Sequence, residues 1–178
     1  MKKVFALMLV LALALSAVAF AEEAPAEEAA GSPVPFEVTA VTPDSLNVIV
    51  KAAEEDETAT QLLSFITETK DNGFVFGTSG VEGVADYDLV ELVRLFISGY
   101  EEGMGGVTAT VKFAAAFEQD AELAVLLGMI NGTEVTWQPL EAKVEEDGSL
   151  TISLTAEQAK AVQDGVAVIA VLQKAIAE

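Results

Sequence analysis

Leu123–Leu140 reads LAVLLGMI (123–130), Asn131-Gly132, then TEVTWQPL (133–140), and this stretch decides the architecture. Asn-Gly between two β-prone runs is the strongest short hairpin signal, because a type I′ turn needs a left-handed backbone at its two central residues. The first arm carries no polar side chain, so it reads as a strand covered on both faces and placed centrally in its sheet. VAVIAVL (166–172) has the same character. Each of these strands needs two covers. One is a facing sheet, and the other is either the helix read at Thr58–Lys70 or a second subunit.

Outward from the hairpin the chain stays β-rich. Val107, Ala109, Val111 and Phe113 alternate with Thr108, Thr110 and Lys112, as in a strand with one wet face. LEAKVE (140–145) and SLTISL (149–154) flank Glu146-Asp147-Gly148, a second hairpin signal. Thr155 and Gln158 have capping-box spacing, so a short helix is expected up to Asp164-Gly165. Residues 88–100 are ambiguous. Leu89, Leu92, Val93 and Phe96 fit a helical face, whereas β-branched and aromatic content favours a strand, expected over Glu91–Ile97.

Upstream, FEVTAV and LNVIVK (within 36–51) are separated by a Pro-Asp-Ser turn and read as paired strands. Thr58 and Gln61 predict a capping box, and Ala59, Leu62, Leu63 and Ile66 form one helical face. Lys70 in the last turn and a stop at Gly73 would end that helix. Residues 73–86 contain four glycines and read as an irregular loop around FVF. The expected class is therefore α+β: a C-terminal antiparallel Ig-like β-sandwich over 91–178, with a strand and helix segment over 36–90 packed on it.

The start of the chain has the three parts of a secretory signal peptide. Lys2 and Lys3 precede an apolar run from Val4 to Val18, which ends at Ala19-Phe20-Ala21. That run is about 15 residues, short of the roughly 20 a spanning helix needs, so residues 1–21 are expected to be removed. Glu22–Pro35 is acidic and rich in Ala and Pro, and reads as a disordered linker. The expected location is secreted or extracellular, with cell-surface association by non-covalent contact and no membrane insertion.

Composition excludes several chemistries. The chain has no Cys and no His. Ser-His-Asp and Cys-His nucleophile systems, an imidazole base, and zinc held by His or Cys are all ruled out. Without Lys2 and Lys3 the cations fall from nine to seven against 29 acids, a net charge of −22. Such a surface repels nucleic acid and anionic membrane, and suits a cationic partner.

Asp86-x-Asp88-x-x-Glu91 is the metal candidate, because Ca²⁺ favours oxygen-rich loops. No EF-hand pattern accompanies it, and helix capping by Asp86 or Asp88 accounts for the same residues. Carboxylate pairs of the kind a glycosidase uses are unavoidable among 29 acids and carry no information. Trp137, Tyr87 and Tyr100 are the aromatics a sugar groove could use, but Trp137 shares a strand face with Val135 and is expected in the core. Asn131-Gly132-Thr133 matches the N-x-T glycosylation pattern, which the turn explains without a sugar. No catalytic or cofactor-binding residue is assigned.

The phrases ISGYEEGMGGVTATVKFA, LLGMINGTEVTWQPLEAKVEEDGSLTISLTAEQ and VQDGVAVIAVL resemble small secreted or surface proteins of anaerobic Gram-positive bacteria. The resemblance spans about residues 91–172. It implies an Ig-like sandwich and an extracellular location, and it transfers no site residues. The functional expectation is an extracellular binding or structural, adhesion-like module for a protein or glycan. Recognition is expected in loops 73–90 and 99–106. The alternatives are an acidic Ca²⁺-dependent module, or a carbohydrate-binding or carbohydrate-active protein, and homo-oligomerisation stays open.

Overall fold

A computed structural model describes residues 36–175. The leader read at 1–21 and the linker read at 22–35 lie outside the described residues. The fold is an antiparallel, β-rich sheet with three α-helices. Its strands are β1 (Phe36–Thr42), β2 (Asn47–Ala52), β3 (Tyr87–Ser98), β4 (Val107–Phe113), β5 (Leu123–Asn131), β6 (Glu134–Val144), β7 (Leu150–Leu154) and β8 (Val166–Lys174). The helices are α1 (Glu57–Thr69), α2 (Asn72–Phe76) and α3 (Ala156–Asp164).

The eight strands form one sheet in the order β1-β4-β7-β6-β5-β8-β3-β2. It curls until its end strands, β1 and β2, approach each other as in a nearly closed barrel. β1 and β2 were expected to pair with each other. Instead β1 pairs with β4 and β2 with β3. The turn at 43–46 is therefore a corner that sends the chain to the opposite end of the sheet, which local turn chemistry does not reveal. The stretch expected as two strands, 133–140 and 140–145, is the single strand β6. It pairs with β5 up to Leu140 and with β7 from Glu141. Pro139, with no N–H to donate, stands just before this change of partner.

The β5–β6 hairpin forms one residue further along than expected: Asn131 pairs with Glu134, so the turn is Gly132-Thr133, with Gly132 alone left-handed at φ 62° rather than both residues of an Asn131-Gly132 type I′ turn. β3 is a strand, and longer than Glu91–Ile97. Leu92 to Leu95 are buried at four consecutive positions, which explains why periodicity was ambiguous there. The expected division at residue 90/91 falls inside β3, which is paired on both sides, with β2 and with β8.

The two apolar strands behave as read. β5 and β8 are neighbours at the middle of the sheet. Val125, Leu127, Ala167, Ile169 and Val171 point to the interior, which is filled by residues from every strand and by Ala159 and Val162 of α3. Ala124, Leu126, Val168, Ala170 and Leu172 point outward and lie under Ala59, Leu62 and Ile66 of α1 and Phe76 of α2. The second cover is thus the helical segment of the same chain. Burying a Leu or Ile side chain contributes about 1.5–3 kcal/mol, so this outer layer is a major part of the fold's stability.

Two helix ends differ from expectation. The α1 N-cap is Asp56, whose Oδ1 accepts from the Ala59 amide at 3.0 Å, so Thr58 lies inside the first turn. At the other end Lys70 itself takes the left-handed conformation at φ 52°, and its amide donates to the Ile66 carbonyl. Gly73 and the FVF segment are not loop but α2, capped by Asp71. α3 carries the expected capping box between Thr155 and Gln158.

Candidate functional site

The outer layer leaves an open groove of about 340 Å³ between α1, α2 and the tip of the β5–β6 hairpin. Its floor is Trp137, 4 % exposed. Trp137 pairs with Gly128 across the hairpin, and the two share the outward face of the sheet. A Cβ at Gly128 would meet Trp137 Cζ3 at 2.5 Å and Val168 Cγ2 at 2.8 Å, so only glycine lets the indole lie flat against the sheet. Phe76 closes the far side of the indole edge-on, with ring centroids 4.8 Å apart. The expectation that Trp137 belongs to the core holds, and the same residue underlies the groove.

Phe65 and Phe74 form the walls, and both are turned to solvent, 49 % and 71 % exposed. Leu62, Ile130 and Val135 complete the apolar lining, while Thr58, Gln61 and Thr133 add polar atoms at its edges. No lining residue is charged. Large aromatic side chains held out beside an apolar floor cost free energy in an isolated soluble protein, and such patches commonly serve recognition.

The walls are held in place by a buried anchor. Arg94 in β3 is 5 % exposed. Its Nη1 donates to the carbonyl of Leu95 at 2.8 Å and to that of Ala167. Its Nε lies 3.6 Å from Asp56 Oδ2, and the guanidinium stacks 4.4 Å from the Phe96 ring. Burial draws the Arg94 pKa down from its usual value, and the Asp56 charge opposes this. Asp56 therefore does two jobs: it caps α1 and ties the start of that helix to the sheet. Thr60 adds a 2.7 Å bond to the Ala53 carbonyl. At the α2 end, Asn72 donates to the Tyr87 carbonyl at 2.6 Å.

The metal candidates are brought together only in part: Asp88 and Glu91 line one groove, and Asp86 does not. Asp86 ends the short turn Val84–Asp86, and Asp88 stands in β3 opposite Gln173. Glu91 follows a bulge at Val90, opposite Val171, and its half-buried carboxyl faces the separate groove between α1 and β3. Two of the three thus lie on a strand rather than in a loop. Among the described residues no group of three or more acidic side chains could hold a metal ion. Glu122 is engaged locally: it accepts from Lys174 Nζ at 2.7 Å and from the Tyr87 hydroxyl at 3.0 Å. The Lys174 bond first, and the Tyr87 bond second, hold the Glu122 carboxyl below its ordinary range.

Of the two segments expected to recognise a partner, 73–90 supplies Phe74 and Val75 to the groove. The second, 99–106, lies away from it and is pinned by Gln163 on the Tyr100 backbone and by the Tyr100 hydroxyl on the Gly105 carbonyl. Phe65 and the hairpin tip were not foreseen. The available signal was that Phe65 falls off the apolar stripe Ala59, Leu62, Leu63, Ile66. No helix among the described residues is long and apolar enough to cross a membrane. Searches against family profiles, curated proteins and solved structures find no match to this chain.

Proposed function

We propose that this chain is an exported, extracellular contact module that binds a polypeptide partner through the groove between α1, α2 and the β5–β6 hairpin. The observation that carries the reading is the exposure of Phe65 and Phe74 above the Trp137 floor. The leader-like residues 1–21 support export. In this reading the curled sheet is a two-layer scaffold of Ig-like kind, rigid enough to present preformed walls, and the interior shared by all eight strands supports that rigidity. A glycan is the second reading, favoured by the ring faces together with Thr58, Gln61 and Thr133.

The test is capture of surface partners by the exported chain, compared with a Phe65→Ser/Phe74→Ser double variant. Val90→Ser serves as control, since Val90 is exposed on β3 away from the groove. Capture is expected to be lost with the double variant and kept with V90S. Equal capture by the double variant would remove the groove from the function.

A further inference from the structure

The geometry points to a cationic amphipathic peptide segment as the occupant of this groove, an inference that rests on the groove being the contact site. The lining is uncharged and mostly apolar, and exposed acids stand beside it on α1 and at the start of α2. On α1, Glu57, Gln61 and Glu68 recur at helical spacing along the stripe beside Phe65, on its solvent side. Gln61 Nε2 reaches Glu57 Oε1 at 3.4 Å, which fixes the direction of that stripe. Asp71 caps α2 by accepting from the Phe74 amide at 2.9 Å, so a carboxylate stands at the base of the most exposed ring. At the hairpin tip Glu134 pairs with Asn131 and so lies on the other face of the sheet from Ile130, Val135 and Trp137, which leaves the acidic border on the helical side alone. Glu57, Glu68 and Asp71 are all exposed. The nearest cation in sequence, Lys70, faces the other side of α1, in the groove shared with β3.

An apolar slot with an acidic border selects a ligand with the opposite pattern: apolar or aromatic side chains that fill the slot, flanked by Lys or Arg that meet the rim. A second copy of this chain is disfavoured by the same charge, since 29 acids stand against nine cations and like surfaces repel. A neutral sugar could donate hydroxyl hydrogen bonds to the border carboxylates but would not share the strong salt dependence of a cationic ligand.

Trp137 is the sole tryptophan and forms the groove floor, so its emission reports occupancy directly. The probes are three synthetic helical peptides with one Leu pattern and with Lys, Gln or Glu at the polar positions. The Lys peptide is expected to change Trp137 emission saturably and to bind most tightly at low salt. Glu57→Gln/Glu68→Gln is expected to weaken it roughly fourfold. A remote pair, Glu37→Gln/Glu101→Gln, removes as much charge and should leave the affinity within about twofold of the parent. Equal effects from the two pairs, equal binding of the Lys and Glu peptides, or no response to the Lys peptide would each overturn the cationic partner. If the Gln peptide binds as well as the Lys peptide and F65S/F74S abolishes both, the groove stands and the charge selection falls. If F65S/F74S changes no peptide's affinity, the groove reading falls as well. A neutral oligosaccharide that moves Trp137 emission where the Lys peptide does not would assign the groove to sugar.

Discussion

Glu91 follows the bulge in β3 and carries a half-buried carboxyl in the groove between α1 and β3. Burial raises its pKa above the ordinary 4.5, the nearby Glu54 charge adds to the rise, and a bond from the Leu92 amide opposes it. The linkage sign follows from proton counts. Between 4.5 and the raised value the folded chain binds more protons than the unfolded chain, so stability falls as pH rises through that window and stays lower above it. Glu91→Gln removes the effect. Its melting temperature should exceed the parent's by about 1–3 °C at pH 7, the response of a domain this size to less than about 1 kcal/mol, and should match it near pH 4. Melting curves at the two pH values check this. A constant offset at both would show that Glu91 acts through packing rather than charge. The same carboxylate was a metal candidate on spacing alone. The bulge at Val90, which spacing does not encode, sets it beside Asp88 on the α1–β3 groove, while Asp86 stays outside that lining.

The α1 helix depends on one residue more than its length implies. Asp56 caps it and faces the buried Arg94, whose Nε has no hydrogen-bond partner. Asp56→Asn keeps a good cap but leaves the guanidinium without its counter-charge, a loss of about 1–3 kcal/mol. Asp56→Ala loses the cap as well and should cost about 1 kcal/mol more. Urea unfolding monitored by Trp137 emission would separate the two, and equal midpoints for both variants and the parent would deny Asp56 either role. This residue also shows where sequence reading stopped. Thr58 with Gln61 and Asp56 with Ala59 are competing caps two residues apart, and the contact that decides between them comes from Arg94, 38 positions away. The local patterns were legible: the β5–β6 hairpin, though its turn falls one residue later at Gly132-Thr133, the α3 capping box, and the two-sided strands β5 and β8 with their helical cover. Strand order was not, because the 43–46 turn has hairpin chemistry yet joins opposite ends of the sheet. The groove was legible in part, since Trp137 and the FVF segment drew attention, while Phe65 went unread, its one signal being that it lies off the apolar stripe.

The charge of the whole molecule acts on folding and on binding with opposite signs. With 29 acids against nine cations, the compact state holds like charges closer together than the unfolded chain does. Its exposed ion pairs, Lys143–Glu145, Lys160–Asp164 and Lys174–Glu122, are solvent-screened and too weak to offset that repulsion. Added salt shortens the screening distance from about 30 Å at 0.01 M to about 10 Å at 0.1 M, so it relieves the repulsion and should raise the melting temperature. The same screening weakens attraction between the acidic border of the groove and a cationic segment, so affinity for the Lys peptide should fall over that range. One salt titration, read by thermal melting of the free chain and by Trp137 emission with peptide, therefore gives two curves of opposite slope. A fold held mainly by its two apolar layers requires the first, and a charge-selective groove requires the second. If melting temperature and affinity both rose with salt, the acidic border would have no part in binding and hydrophobic burial alone would drive it. If melting temperature fell instead, the exposed pairs would outweigh the net repulsion, and the acidity would be locally organised rather than a diffuse load on the fold.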